Sequence, residues 1–155
     1  MRVGRSIGTE GPDRGAYRMG SHTADLAVRL AAASPEGLLA ALLRALRCIY
    51  VGRRRLPVCC RRTLTMAAPD LESLLVRFAN EIIFDVDARQ RLAVDATGLS
   101  VRSVGAGLGL RCCLLLADVS APGAGTEREV KAATHHRLAV RRGRTGLAAT
   151  MVLDI

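Results

Sequence analysis

Two stretches of the chain repeat apolar residues at three- and four-residue steps, and most of the rest runs in short apolar blocks between Gly, Pro and polar clusters. Ser34-Pro35-Glu36 reads as a helix start: Ser34 as N-cap, Pro35 at a position where its missing N–H costs nothing, and an acid beside the positive end of the dipole. Leu38, Leu39, Leu42, Leu43, Leu46 and Ile49 then trace one face, and Gly52 ends the helix. Asp70 N-caps a second helix, whose stripe is Leu71, Leu74, Leu75, Phe78, Ile82 and Ile83. Tyr17 to Met19, Leu26 to Ala32 and Leu56 to Met66 read as strands, with Arg53-Arg54-Arg55 as the solvated start of the last. After Asp87 the pattern turns extended: Arg91 to Asp95, Leu99 to Val104, Leu110 to Val119, Glu129 to Thr134, Arg137 to Arg142 and Leu147 to Leu153. Strands around two helices predict an α+β sandwich, one domain in which both helices pack on one side of a mixed β-sheet.

The 155-residue chain, half hydrophobic, is long enough for one core and too short to expect two. Residues 1–14 are polar and rich in Gly and Arg, and read as a disordered basic leader before a domain over 15–155. That leader lacks the apolar stretch of a secretory signal, and no apolar run is long enough to span a bilayer, because Arg44 interrupts Leu38 to Leu46. The expectation is a cytoplasmic protein without a membrane partner. Of the 23 basic residues only Lys131 is lysine, and the formal charge is +9. A basic balance is the footprint of a polyanion partner. Two Tyr, two Phe and no Trp leave few platforms for base stacking, so direct base readout is not expected.

Two carboxylate positions lie at opposite ends of the domain: Asp25, within Ser21-His22-Thr23-Ala24-Asp25, and the terminal Asp154-Ile155. If the fold brings those ends together, Asp25, Asp154 and the carboxylate of Ile155 supply three hard oxygen ligands to one cation. The five cysteines form no C-x-x-C pair, and vicinal Cys59-Cys60 and Cys112-Cys113 on strands point to opposite faces, so they read as small hydrophobes in a reducing compartment. Gly105 to Gly109 precedes a strand instead of a helix, which makes it a hairpin turn and not a dinucleotide fingerprint. No P-loop, G-x-S-x-G or H-E-x-x-H occurs, so an enzyme in its own right is the weaker class. His135 and His136 face opposite ways on a strand, so at most one joins a given site. His22, three residues before Asp25, either orients the turn or contacts a ligand or partner.

Ser-His-Thr-Ala-Asp at 21–25, the Pro35 helix, Asp70-Leu71-Glu72-Ser73-Leu74-Leu75, Glu129-Val130-Lys131-Ala132-Ala133-Thr134-His135-His136 and the final Val152-Leu153-Asp154-Ile155 follow one another in an order and spacing that resemble the archease family. The resemblance covers about residues 15 to 155. It implies an accessory protein, not itself a catalyst, that activates an RtcB-class tRNA-splicing RNA ligase. The ligase owns the chemistry, becoming guanylylated with GTP and manganese before it joins RNA ends. The accessory protein promotes that step and multiple turnover in tRNA splicing or RNA repair, and so meets tRNA only through the ligase; no DNA partner is expected. The resemblance further implies a metal, commonly calcium, at Asp25, Asp154 and Ile155; if that cation is presented to the ligase's active site, Lys131 and His22 or His136 are the groups expected to face the partner or a phosphate. The chain departs from the family in its basic charge, in having Glu36 as the one acid from Ser34 to Tyr50, and in lacking a Trp in the last strand.

Three other functions compete, of which a stand-alone metal-dependent hydrolase comes last, because a carboxylate-bound cation lacks an evident general base nearby in sequence. A chaperone or modulator of an RNA-modifying enzyme, such as a tRNA methyltransferase, predicts suppression of partner aggregation that does not need Asp25 or Asp154. A basic RNA-binding module predicts salt-dependent tRNA binding without a ligase.

Overall fold

The computed structural model describes residues 3–4, 13–22 and 25–155. The chain order is β1 (Val3–Gly4), β2 (Ala16–His22), β3 (Asp25–Ala32), α1 (Pro35–Val51), β4 (Cys60–Ala68), α2 (Leu71–Arg89), β5 (Arg91–Val104), β6 (Gly107–Asp118), β7 (Ala132–Gly143) and β8 (Gly146–Asp154). Both helices start where their caps dictate. Ser34 Oγ accepts from the Gly37 amide at 3.1 Å, and Asp70 Oδ1 accepts from the Ser73 amide at 2.7 Å. Gly52, with φ of 60°, ends α1 and donates its N–H to Cys48 O at 2.9 Å.

The α+β class is as expected, but its layering differs. Strands β1-β2-β3-β8-β7 form one sheet and β4-β6-β5 another, and every pairing is antiparallel. The expected single mixed sheet therefore gives way to two. Strands β4 and β5, on either side of α2, point the same way without touching, because β6 inserts between them and pairs with both. The helices lie between the sheets instead of on one side: α1 packs on β2, β3 and β5, and α2 on β4, β5 and β7. Eleven of the 17 residues of α1 are buried, over an arc wider than a single stripe, as contact with two layers requires, while Glu36, Ala40, Arg44 and Arg47 lie on the part-exposed side. Each fully buried leucine among them, such as Leu38, Leu42 and Leu46, stabilises the fold by about 1.5–3 kcal/mol relative to exposure.

Four local expectations change. The strand expected over Leu56 to Met66 begins only at Cys60, since Pro57 has no N–H for a ladder and Arg54 ties the preceding segment elsewhere, donating to the carbonyls of Val51, Gly123 and Gly125. Arg54 is thus anchored, not merely solvated. Two pairs of expected strands fuse into long irregular ones: β5 shifts register between Ala93 and Asp95 and between Thr97 and Ser100, and β7 between Thr134 and Ala139. First-turn acids support both irregular edge strands, Glu36 Oε1 accepting from Val101 N at 2.8 Å and Glu72 Oε1 from Val140 N at 3.1 Å. Cys59 precedes its strand, so Cys59 and Cys60 are both exposed with sulfurs 3.6 Å apart, whereas Cys112 and Cys113 do face opposite ways. The disordered leader falls mostly on residues outside the described ones. At its end, Asp13 accepts from Gly15 N, Ser34 N and Ser34 Oγ, which fastens it to the start of α1.

Candidate metal centre

Strand alternation positions the two aspartates. Leu26, Val28 and Leu30 of β3 and Leu147, Ala149, Met151 and Leu153 of β8 are buried, which turns the alternate residues outward. The antiparallel register then sets Asp25 directly opposite Asp154, one rung beyond the buried pair Leu26 and Leu153. A one-residue slip of either strand would turn its aspartate to the core face and its buried apolar residues to solvent, so the apolar pattern specifies this register strongly. Gly146 helps hold it: a Cβ there would come within 2.2 Å of Ala32 O, so only glycine lets the β7–β8 hairpin lie against the end of β3.

Directly opposite residues on antiparallel strands have Cβ atoms about 4.5–5.5 Å apart, and like charges there repel. Both aspartates are exposed, and among the described residues neither takes part in an ion pair. Among the described residues this rung holds two negative charges side by side with no ion-pair partner.

The next residues along close one flank. Lys131 N donates to Asp154 O at 2.8 Å, and Lys131 Nζ to the main-chain oxygen of Ile155 at 3.3 Å. The helical layer fixes this segment from behind. Asn80 of α2 pairs twice with Ala133, its Nδ2 donating to Ala133 O at 3.0 Å and its Oδ1 accepting from Ala133 N at 2.9 Å. The Tyr50 hydroxyl donates to Val130 O at 3.5 Å. Burial first, then the nearby Asp87 and Glu129 carboxylates, push the Tyr50 phenol well above its ordinary value, so it remains a donor. Asn80 and Tyr50 were absent from the sequence-based site. The available signal for Asn80 was a polar residue inside the apolar run of α2, between Ala79 and Ile82.

Of the six residues expected at the site, Asp25, Asp154, Ile155 and Lys131 come together. The backbone of His22 pairs with Asp25 at the end of the β2–β3 hairpin, while Thr23 and Ala24 lie outside the described residues. His136 does not join them. It sits in the irregular stretch of β7 between Thr134 and Ala139, where Arg137 has φ of 55°, and its amide donates to Thr134 Oγ1 at 3.3 Å. His135 and His136 are both exposed there, because the break in pairing suspends the alternation expected of them.

The donor chemistry fits a hard cation: two unpaired carboxylates on rigid neighbouring strands and a main-chain oxygen beside them. Among the described residues no three His, Cys, Asp or Glu side chains gather into a metal cluster. A site here therefore needs Ile155 as a ligand in addition to the two aspartates.

A model of the archease protein family (MTH1598/TM1083) matches residues 17–155. The solution structure of Methanobacterium thermoautotrophicum Protein 1598 has a similar fold, with a TM-score of 0.74 over 90% of this chain and 98% of that one. The two share 19% sequence identity, so that likeness speaks for the fold alone. No curated protein matches the chain.

Proposed function

The chain belongs to the archease family, and from that premise we propose that it is a metal-binding accessory protein that activates an RtcB-class RNA ligase in the cytoplasm, without being a catalyst itself. The observation that carries this reading is the Asp25–Asp154 rung beside Ile155, two like charges that a divalent cation would neutralise. Calcium, or another divalent ion that accepts an all-oxygen shell, would be held by Asp25, Asp154 and the Ile155 carboxylate. Bound there, the ion supplies a hard positive centre for phosphate or carboxylate oxygens of a partner.

The chain's own residues set the shape of that surface. Leu26, Leu153 and Ala133 anchor the rung in the core, and Asn80 holds the start of the strand that follows Lys131. Lys131 takes one oxygen of Ile155 and keeps the last residue against the sheet. With the His22 backbone across from Asp25, this end of the five-stranded sheet is the surface we assign to the ligase. GTP and manganese belong to the ligase, and tRNA is reached through it. No helix among the described residues is long and apolar enough to cross a membrane.

The test is guanylylation of an RtcB-class ligase with GTP and manganese, with and without this protein, comparing wild type with Asp25→Ala and Asp154→Ala. Stimulation by wild type that both variants lose, at unchanged circular dichroism, is the expected result. Equal stimulation by the variants would remove the metal rung from the mechanism, and no stimulation by wild type would remove the ligase.

A further inference from the structure

We propose that the outer face of the three-stranded sheet binds the phosphate backbone of duplex RNA. Strands β4, β6 and β5 curve around an open groove of about 880 Å³ on the face turned away from the helices. The register aligns its side chains in rungs. Thr65, Arg111 and Ser100 lie directly across from one another, and Thr63, Cys113 and Thr97 form the next rung. On the other side come Ala67, Gly109 and Arg102, where the Val104 side chain lies over Gly109, 2.8 Å from where a Cβ would stand. Arg61 extends the same face beyond Thr63.

The charge of this face is one-sided, although its lining also includes the apolar Met66, Leu110 and the exposed Val104. Arg61, Arg102 and Arg111 are exposed, and among the described residues none of them meets a carboxylate. No Asp or Glu lines the groove. The nearest acid along the register, Asp95, shares the rung of Arg61 and Leu115 and lines a neighbouring pocket of about 280 Å³, which adjoins the groove at Thr97 and Gly98 and sets Asp13, Glu36 and Asp95 beside Arg14 and Arg44. Guanidinium forks match phosphate oxygens in pairs, and the four hydroxyls of Thr63, Thr65, Thr97 and Ser100 add donors for phosphate or ribose oxygens.

What the groove lacks selects the occupant. It has no aromatic side chain, so it offers neither the stacking platforms that hold single strands nor the aromatic anchors that dominate protein interfaces. Positive charge with hydroxyls and no aromatics suits a duplex recognised by its backbone and 2′-hydroxyls, without base readout. The proposal is independent of the ligase reading, because the contact is made by this chain alone and on the other sheet from the Asp25–Asp154 rung.

The test is fluorescence anisotropy with an RNA duplex of about 20 base pairs, long enough to offer two successive minor grooves, titrated at several salt concentrations without ligase. Two charge-matched variants are compared with wild type: Arg61→Gln/Arg102→Gln/Arg111→Gln in the groove, and Arg18→Gln/Arg29→Gln/Arg141→Gln on the outer face of the five-stranded sheet. The groove variant should bind about tenfold or more weaker, with a log–log salt slope shallower by roughly 0.9 per lost phosphate contact. The control variant should stay close to wild type. Equal weakening by the two variants would reduce the effect to net charge and overturn the site. Tighter binding of a single strand or of a DNA duplex of the same sequence would overturn the occupant. Alkylation of Cys113, which sits mid-groove, gives a second readout by peptide mass spectrometry: duplex RNA should slow it in wild type, and no protection would likewise refute the proposal.

Discussion

Replacing Asp25 by Asn tests the like-charge rung without touching the core, because the side chain is exposed and its neighbours Leu26 and Leu153 keep their burial. Two unit charges about 5 Å apart in a water-like dielectric repel by roughly 0.8 kcal/mol, inside the range of about 0.2–1 kcal/mol for cross-strand pairs. In EDTA the variant should therefore be more stable than wild type by that amount, a rise in melting temperature of about 2–3 °C for a chain of this size. Calcium should reverse the order. At about 100 times its dissociation constant a ligand specific for the folded state adds roughly 2.7 kcal/mol, or some 5–11 °C, to wild type and little to the variant. Calorimetry with and without calcium reads both effects. The metal-site reasoning fails if calcium raises the wild-type and Asp25→Asn midpoints equally. The like-charge reasoning fails separately if the variant is the less stable protein in EDTA.

Asp85 is fully buried and ion-paired to Arg62 and Arg89, while Glu81 lies 3.0 Å from Arg62, so Asp85→Ala removes the buried centre of the network but leaves Arg62 one carboxylate, and should cost about 1–3 kcal/mol in urea unfolding; a loss under about 0.5 kcal/mol would show that Glu81 alone satisfies both arginines. The Cys112 thiol, pushed up to about 11 by burial and the neighbouring Cys113, should resist alkylation in the native protein while exposed Cys59 and Cys60 react, and native labelling of Cys112 at their rate would contradict its burial. For Asp70, hydrogen bonds from the Ser73 side chain and amide hold the carboxyl below its ordinary value, so its contribution is complete above about pH 4 and disappears as pH falls through the lowered folded value. Asp70→Asn keeps a capping acceptor but removes the titration, and should flatten the acid limb of stability against pH below about pH 4; an unchanged limb would assign acid sensitivity elsewhere.

The helices were legible because their signals are local. Ser34, Pro35, Gly52 and Asp70 act within a turn of their own positions, and each does what its chemistry predicts. The sheets were less so, since strand order depends on pairings far apart in sequence, such as β3 with β8. One sign of two sheets was nonetheless present. Leu39, Ala41, Leu43 and Ala45 make α1 apolar beyond the width of a single stripe, which fits a helix covered on two sides. The split strands at 91–104 and 132–143 were read as pairs because bulges interrupt alternation without ending a strand. In the site, Asp25 and Asp154 were legible as residues, whereas their opposition needed the register. The shared exposure of His135 and His136 was not legible because alternation was expected through a stretch where pairing breaks, and Asn80 was missed because its partner is a backbone 53 residues away.

The two surfaces assigned here lie on different sheets, and that separation has an electrostatic consequence. A helical layer about 10 Å across with its side chains stands between the sheets, and both faces point outward from it. At physiological ionic strength the Debye length is about 8 Å, so the Asp25 and Asp154 carboxylates are screened from Arg61, Arg102 and Arg111. The acidic rung therefore does not neutralise the groove, and the groove does not supply the cation the rung lacks. Substitutions at the two should add, changing calcium response and RNA affinity independently. A groove variant that altered the calcium shift, or an Asp25 variant that altered RNA affinity, would show coupling through the helices, and the path to examine would then be Asn80, which joins α2 to the strand beside Asp154.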